Sequence, residues 1–239
     1  MIKIIGIDPA PTKKNVIFDG NSFKSFNYDE LKKYLEELKN EKVLICWDAP
    51  LSFSTQKICH NDTPFSKRVI EKFFSQNKGL KTPKGISIMG YSTCPHWIIS
   101  QYMFGLPKVS KNKINDDLPF KLVFDKTQIS KSITEVHPAV AIWLWTNDLN
   151  DWEYKKNKET FNNIVKILVN KKIIEDKLKI NDDDHLDAYI AWKLGYDWVN
   201  NNNQVDVLGN EDTGSFLLPN VMLPENEDVF SKFNNYLKI

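Results

Sequence analysis

The chain has 239 residues, 41% hydrophobic and 12% aromatic with seven Trp, a content that excludes a disordered chain and provides for a sizeable core. Formal net charge is only +1, so global charge says nothing about a polyanionic partner, and no stretch approaches the roughly 18 uninterrupted apolar residues of a membrane span. No apolar segment follows a basic N-terminal region, so a soluble cytoplasmic protein is expected, and Cys46, Cys59 and Cys94 lack the number and spacing of a disulfide framework.

Residues 2–8 form a nearly continuous apolar run ending at Asp8, the pattern of a central strand. Asn15 to Asp19 and Ser22 to Asn27 flank Gly20-Asn21, a hairpin signal, so the chain opens as a three-strand meander. Asp29 to Lys39 places Leu31, Tyr34, Leu35 and Leu38 at helical spacing, with Asn27 or Tyr28-Asp29 available as a cap. The apolar run Val43 to Trp47 then ends at Asp48. A helix between strands implies a crossover, which sets this strand parallel to the first and most simply beside it.

Residues 51 to 131 read as an insertion between core strands, partly helical near 64–76 and 95–104, and packed over the strand ends. The insertion is basic, with 13 Lys or Arg against five Asp or Glu, which leaves the rest of the chain net acidic. Solvated lysines explain that excess, and so does a polyanionic substrate. The core resumes with a strand at Ser132 to His137 and a helix opened by Pro138. Helices are expected over Lys158 to Leu178 and over 183–195, a strand pair at Val205 to Leu208 and Ser215 to Leu218, and a short helix around Phe230 and Phe233. The whole of 1–239 reads as one α/β domain.

Two carboxylates at the ends of buried strands, Asp8 and Asp48, cost free energy unless paired, hydrogen-bonded or bound to a cation. Asp184 and Asp187 open the helix at 183–195 and share a face with Ala188, Ala191 and Gly195, small residues that let a helix approach a sheet closely. That approach would bring all four carboxylates together. The plainer readings are turn residues before Pro9 and Ala49-Pro50, and helix capping by Asp182 to Asp184. Glu135, at the end of its strand, either reaches the cluster or forms a salt bridge at its rim. His185 either orients water or faces solvent beside its Asp neighbours.

In chain order, Ile5-Gly6-Ile7-Asp8-Pro9-Ala10, Trp47-Asp48-Ala49-Pro50-Leu51, Glu135-Val136-His137-Pro138-Ala139 and Asp184-His185-Leu186-Asp187-Ala188 resemble the signatures of a domain-of-unknown-function family of predicted RNase H-like nucleases. Val207-Leu208-Gly209 through Gly214-Ser215-Phe216-Leu217-Leu218-Pro219 is similar to that family's C-terminal strand motif. The acidic helix also resembles the closing motif of Holliday-junction resolvases, where an Asp pair joins carboxylates from the first and fourth strands. The resemblance implies an RNase H-like mixed sheet of five strands with helices on both faces, and a metal-dependent nuclease.

For such a reaction, two divalent ions about 4 Å apart activate water and stabilise the leaving oxyanion, and Mg²⁺ or Mn²⁺ suits an all-oxygen set. Asp8 is the candidate to bridge them, Asp48 to bind one, and Asp184 or Asp187 the other. Lys67, Arg68, Lys72, Lys81 and Lys84 are candidates for phosphate contacts on nucleic acid, with Tyr91, His96 and Trp97 as stacking partners or, alternatively, core residues. Arg68 is the chain's single arginine, a planar fork suited to bidentate contact. Cys59-His60 with Cys94-Pro95-His96 offers zinc-type ligands at an unusual spacing, or ordinary loop and packing residues. A non-catalytic nucleic-acid-binding protein is the alternative function. An actin-like or sugar-kinase phosphotransferase is disfavoured, because Pro9 to Lys14 lacks the glycines that admit phosphates to the backbone.

Overall fold

The computed structural model describes residues 2–52, 67–90, 94–106, 118–146, 152–202 and 204–238. The opening apolar run forms β1 (Lys3–Asp8), followed by β2 (Asn15–Phe18) and β3 (Phe23–Phe26), each antiparallel to the strand before it. Helix α1 (Tyr28–Glu37) starts at a reciprocal cap, with Asn27 Oδ1 accepting from Glu30 N at 3.0 Å and the Glu30 carboxylate accepting from Asn27 N at 2.8 Å. The crossover delivers β4 (Val43–Trp47) parallel to β1, with Ile7 opposite Trp47, as the apolar runs predict.

Within the insertion, α2 (Val69–Ser75) and α3 (Trp97–Phe104) fall inside the two expected helical stretches, and its other described residues are mostly irregular. It also contributes β5 (Lys121–Leu122), which lies parallel to β6 (Ser132–Glu135). Among the described residues the main sheet therefore has six strands in the order β3-β2-β1-β4-β6-β5, one more than expected. Two residues cannot display an alternation, and β5 exists only through its non-local pairing with β6.

Helix α4 (Pro138–Thr146) follows β6, and α5 (Lys158–Asn170) ends eight residues before the predicted Leu178. Lys172 adopts φ +59°, which breaks the helix, although Ile173 and Ile174 beyond the break remain buried. Helix α6 (Asp183–Val199) carries the acidic pair, β7 (Val205–Asn210) and β8 (Gly214–Pro219) form the predicted antiparallel pair, and α7 (Val229–Tyr236) closes the chain. Leu217 of β8 bridges to Val136 just past β6.

Strand alternation divides the core into two layers. Ile5, Ile7, Val43, Ile45, Trp47 and Ile133 pack with Leu31 and Leu35 of α1 and with Ile99, Met103 and Phe104 of α3. On the other face Ile4, Leu44, Cys46 and Val136 pack with α4, α5 and α6 and with the β7–β8 pair. No described helix is long and apolar enough to cross a membrane.

Helix α6 lies against β1 with almost no side chain between them. A Cβ on Gly6 would overlap the α6 backbone at Ala188 O and Trp192 N, and one on Gly195 would overlap the Cys46 sulfur. Glycine at these two positions sets how deep the helix sits. In an ordinary strand Ala would be favoured over Gly by about 0.5–1 kcal/mol. Here Gly6→Ala is expected to destabilise the protein by about 3 kcal/mol, because backbone must move to admit the methyl group. Urea unfolding measures this, and a midpoint equal to or above wild type would contradict the seating of α6 on β1.

Candidate metal centre

The parallel register that sets Ile7 opposite Trp47 brings Asp8 and Asp48, one residue further along, to the carboxyl ends of neighbouring strands. Asp48 N donates to Ile7 O at 3.1 Å, which holds the two ends together. Ligand crevices in open α/β sheets form outside such strand ends. Asp8 belongs to the same face of β1 as Gly6, and Asp48 to the same face of β4 as Cys46, so both point toward the layer occupied by α6. Asp187 completes the set from α6. Oxygens of Asp8, Asp48 and Asp187 all lie within 4.8 Å of one another.

The fourth expected member stands apart. Asp184, one turn earlier in α6, is ion-paired with Lys13 at 3.2 Å and lies outside the three-carboxylate group. The capping role falls to Asp182, whose Oδ1 accepts from His185 N at 2.9 Å. His185 Nδ1 lies 2.5 Å from the same oxygen, and its ring packs edge-on to Phe23 with centroids 4.6 Å apart. The structure thus ties His185 to the helix cap and β3 rather than to the carboxylates.

Glu135 is a neighbour, not a member. It pairs with Trp47 across the β4–β6 ladder, so alternation takes it out of the row shared by Asp8 and Asp48. Its carboxylate accepts from Leu51 N at 2.9 Å and from Arg68 Nη1 and Nη2 at 2.8 and 2.5 Å. Arg68 also donates to Glu71 through Nε at 3.0 Å and to Ser52 O at 3.1 Å. The guanidinium is 1% exposed, so the bidentate contact expected with a phosphate is made instead with a protein carboxylate. Burial pushes the Glu135 carboxyl upward while the Arg68 charge pulls against it. This network clamps the segment after Asp48 to the end of β6.

Two residues with no distinguishing sequence signal complete the centre. Tyr154 donates its hydroxyl to Asp187 Oδ1 at 2.7 Å, and Lys155 Nζ lies 2.5 Å from Asp187 Oδ2. Burial, and after it the Asp187 charge, keeps the phenol protonated. Lost hydration works against the Lys155 charge, but Asp187, Asp48 and Asp8 outweigh it and raise its pKa well above the usual value. Asp8 is raised well above the ordinary carboxylate range by burial, then by Asp187 and Asp48. Asp48 is raised by burial and then by Asp187, with Lys155 opposing.

Asp8 and Asp48 open into a cavity of about 300 Å³ whose wall includes Ser87, Cys94, His96, Glu135, His137, Lys155 and Phe216. Burial lowers the His137 pKa to about 4, and its Nδ1 has no side-chain hydrogen-bond partner among the described residues. Cys94 Sγ and His96 Nδ1 are 3.4 Å apart on this wall, while Cys59 and His60 fall outside the described residues. Lys67, Lys81 and Lys84 line a second groove of about 530 Å³ together with Ile86 and Ile88. One extended segment separates the two, presenting Gly85, Ser87 and Met89 to the cavity and Lys84, Ile86 and Ile88 to the groove. Of the expected stacking residues, His96 reaches the cavity, Trp97 is half-buried in α3, and Tyr91 lies outside the described residues.

Comparison with protein-family models, curated proteins and solved structures gives no match.

Raised carboxyl pKa values have a direct consequence for stability. An unfolded Asp titrates at about 3.9, so between that pH and the raised folded values the native state binds more protons than the unfolded one, and stability falls as pH rises. In EDTA, Asp8→Asn and Asp48→Asn should therefore each melt above wild type at pH 8, with the margin shrinking as pH is lowered toward about 4. A wild type that melts higher than both variants at pH 8 would contradict the repulsion described here.

Proposed function

We propose that this chain is a divalent-metal-dependent phosphodiester hydrolase of RNase H-like type that acts on nucleic acid. The observation that carries this reading is the convergence of Asp8, Asp48 and Asp187 from three separate elements, oxygens within 4.8 Å, at the carboxyl ends of two parallel strands. An antiparallel meander followed by parallel strands, with carboxylates from the first and fourth strands and the last core helix, supports the RNase H-like assignment.

The donor set fits a hard cation. It is all oxygen, with no His or Cys among the described residues of the group, which suits Mg²⁺ or Mn²⁺ better than zinc. Asp8, Asp48 and Asp187 would hold it. Bound there, a divalent ion supplies Lewis acidity toward a phosphoryl oxygen and makes water more acidic. Tyr154 fixes the Asp187 carboxylate, and the Arg68–Glu135 pair fixes the backbone that follows Asp48. Lys67, Lys81 and Lys84 offer charge to backbone phosphates a short way across the extended wall, which favours an extended polyanion over a small phosphate ester.

The reading is tested with end-labelled single-stranded and duplex DNA and RNA in Mg²⁺ or Mn²⁺. Cleavage by wild type is expected, abolished by EDTA, and lowered at least about a hundredfold by Asp8→Ala, Asp48→Ala or Asp187→Ala in protein that still folds. Undiminished cleavage by these variants would contradict the assignment. Binding without cleavage by wild type would favour a non-catalytic nucleic-acid-binding role.

A further inference from the structure

Asp187 is 1% exposed, and both of its oxygens are engaged by protein groups. The two partners differ in kind. Tyr154 is buried and neutral, so it can keep its hydrogen bond to Oδ1 whatever cation approaches Oδ2. Lys155 is charged and already within contact of Oδ2, where a second cation would be repelled. A metal ion and the Lys155 ammonium therefore compete for one oxygen.

The chain around Lys155 is suited to such an exchange. Trp152 and Tyr154 are buried anchors at 1% and 4% exposure, whereas the Lys155 side chain is 51% exposed. Its ammonium can leave Asp187 by rotation of the flexible stem without unpacking either anchor. Lys155 lines the same cavity as Asp8 and Asp48, so the released charge stays beside the place where a substrate phosphate would sit.

We propose that Lys155 is a resident counter-ion of the metal centre: it neutralises Asp187 in metal-free protein, is exchanged for the divalent ion, and then faces the substrate phosphate. This rests on the metal-dependent reading above and adds a linkage. A polyanion that draws Lys155 from Asp187 raises metal affinity, and by reciprocity the metal raises affinity for the polyanion.

The test is calorimetric titration of Mn²⁺ into wild type, Lys155→Met, Lys155→Arg and Lys156→Met, with thermal unfolding of each in EDTA. Lys155→Met is expected to bind Mn²⁺ at least about tenfold more tightly than wild type while melting lower without metal. Lys155→Arg, whose fork grips a carboxylate more firmly, should bind Mn²⁺ several-fold more weakly, which keeps the test decisive if Lys155→Met folds poorly. Lys156→Met removes the same charge from the same cavity wall and should change affinity by less than about twofold. Equal or weaker Mn²⁺ binding by Lys155→Met, or equal tightening by Lys156→Met, would overturn the exchange while leaving the metal site intact. Absence of binding by all four proteins would overturn the metal-dependent reading and this inference together.

Discussion

Three carboxylates within 4.8 Å of each other repel, and the burial of Asp187 and partial burial of Asp8 and Asp48 strengthen that repulsion. Much of the architecture near the strand ends serves to hold that arrangement. Gly6 and Gly195 remove the side chains that would keep α6 off the sheet, and Asp187 reaches the strand ends because the helix sits so close. Parallel pairing of β1 with β4 sets Asp8 beside Asp48, and the crossover through α1 makes that pairing possible. A substitution that lifts the helix by even one methyl group would act on the centre without touching a carboxylate.

Surrounding charges divide into two groups with different tasks. Arg68, Glu71 and Glu135 are almost fully buried, and the one guanidinium bridges both carboxylates through short hydrogen bonds that offset the cost of their desolvation. Their product is a fixed backbone after Asp48. The other group, Asp8, Asp48, Asp187 and Lys155, is left with an excess of negative charge, and Asp8, Asp48 and Lys155 of it line a cavity. An excess of that kind, maintained at a cost to the folded state, is a common mark of a site shaped for a ligand rather than for stability.

How much of this was legible depended on whether a residue's role is local. Asp8 and Asp48 end apolar runs, so their place at strand ends follows from hydrophobic pattern alone, and the small residues on the face of α6 announced the close approach. The difference between Asp184 and Asp187 was not visible, because it appears only in non-local partners: Asp184 pairs with Lys13, 171 positions away, while Asp187 meets Asp8 and Asp48. Arg68 showed its chemistry but not its partner: the bidentate fork was evident, yet only the fold places Glu135 against it, 67 residues away. Tyr154 and Lys155 lie in a short connection without periodicity, in a chain whose basic residues are nearly all Lys, so nothing local marks either one. The two-residue strand β5 escaped notice for the same reason, being defined by its partner rather than by its own pattern.

The most direct test of the metal centre is crystallographic: anomalous diffraction at a wavelength sensitive to manganese, from crystals grown in Mn²⁺. The account predicts an anomalous peak bounded by oxygens of Asp8, Asp48 and Asp187, with the Lys155 ammonium withdrawn from Asp187. Manganese bound elsewhere, with Lys155 still paired to Asp187 and no peak among the three carboxylates, would contradict it.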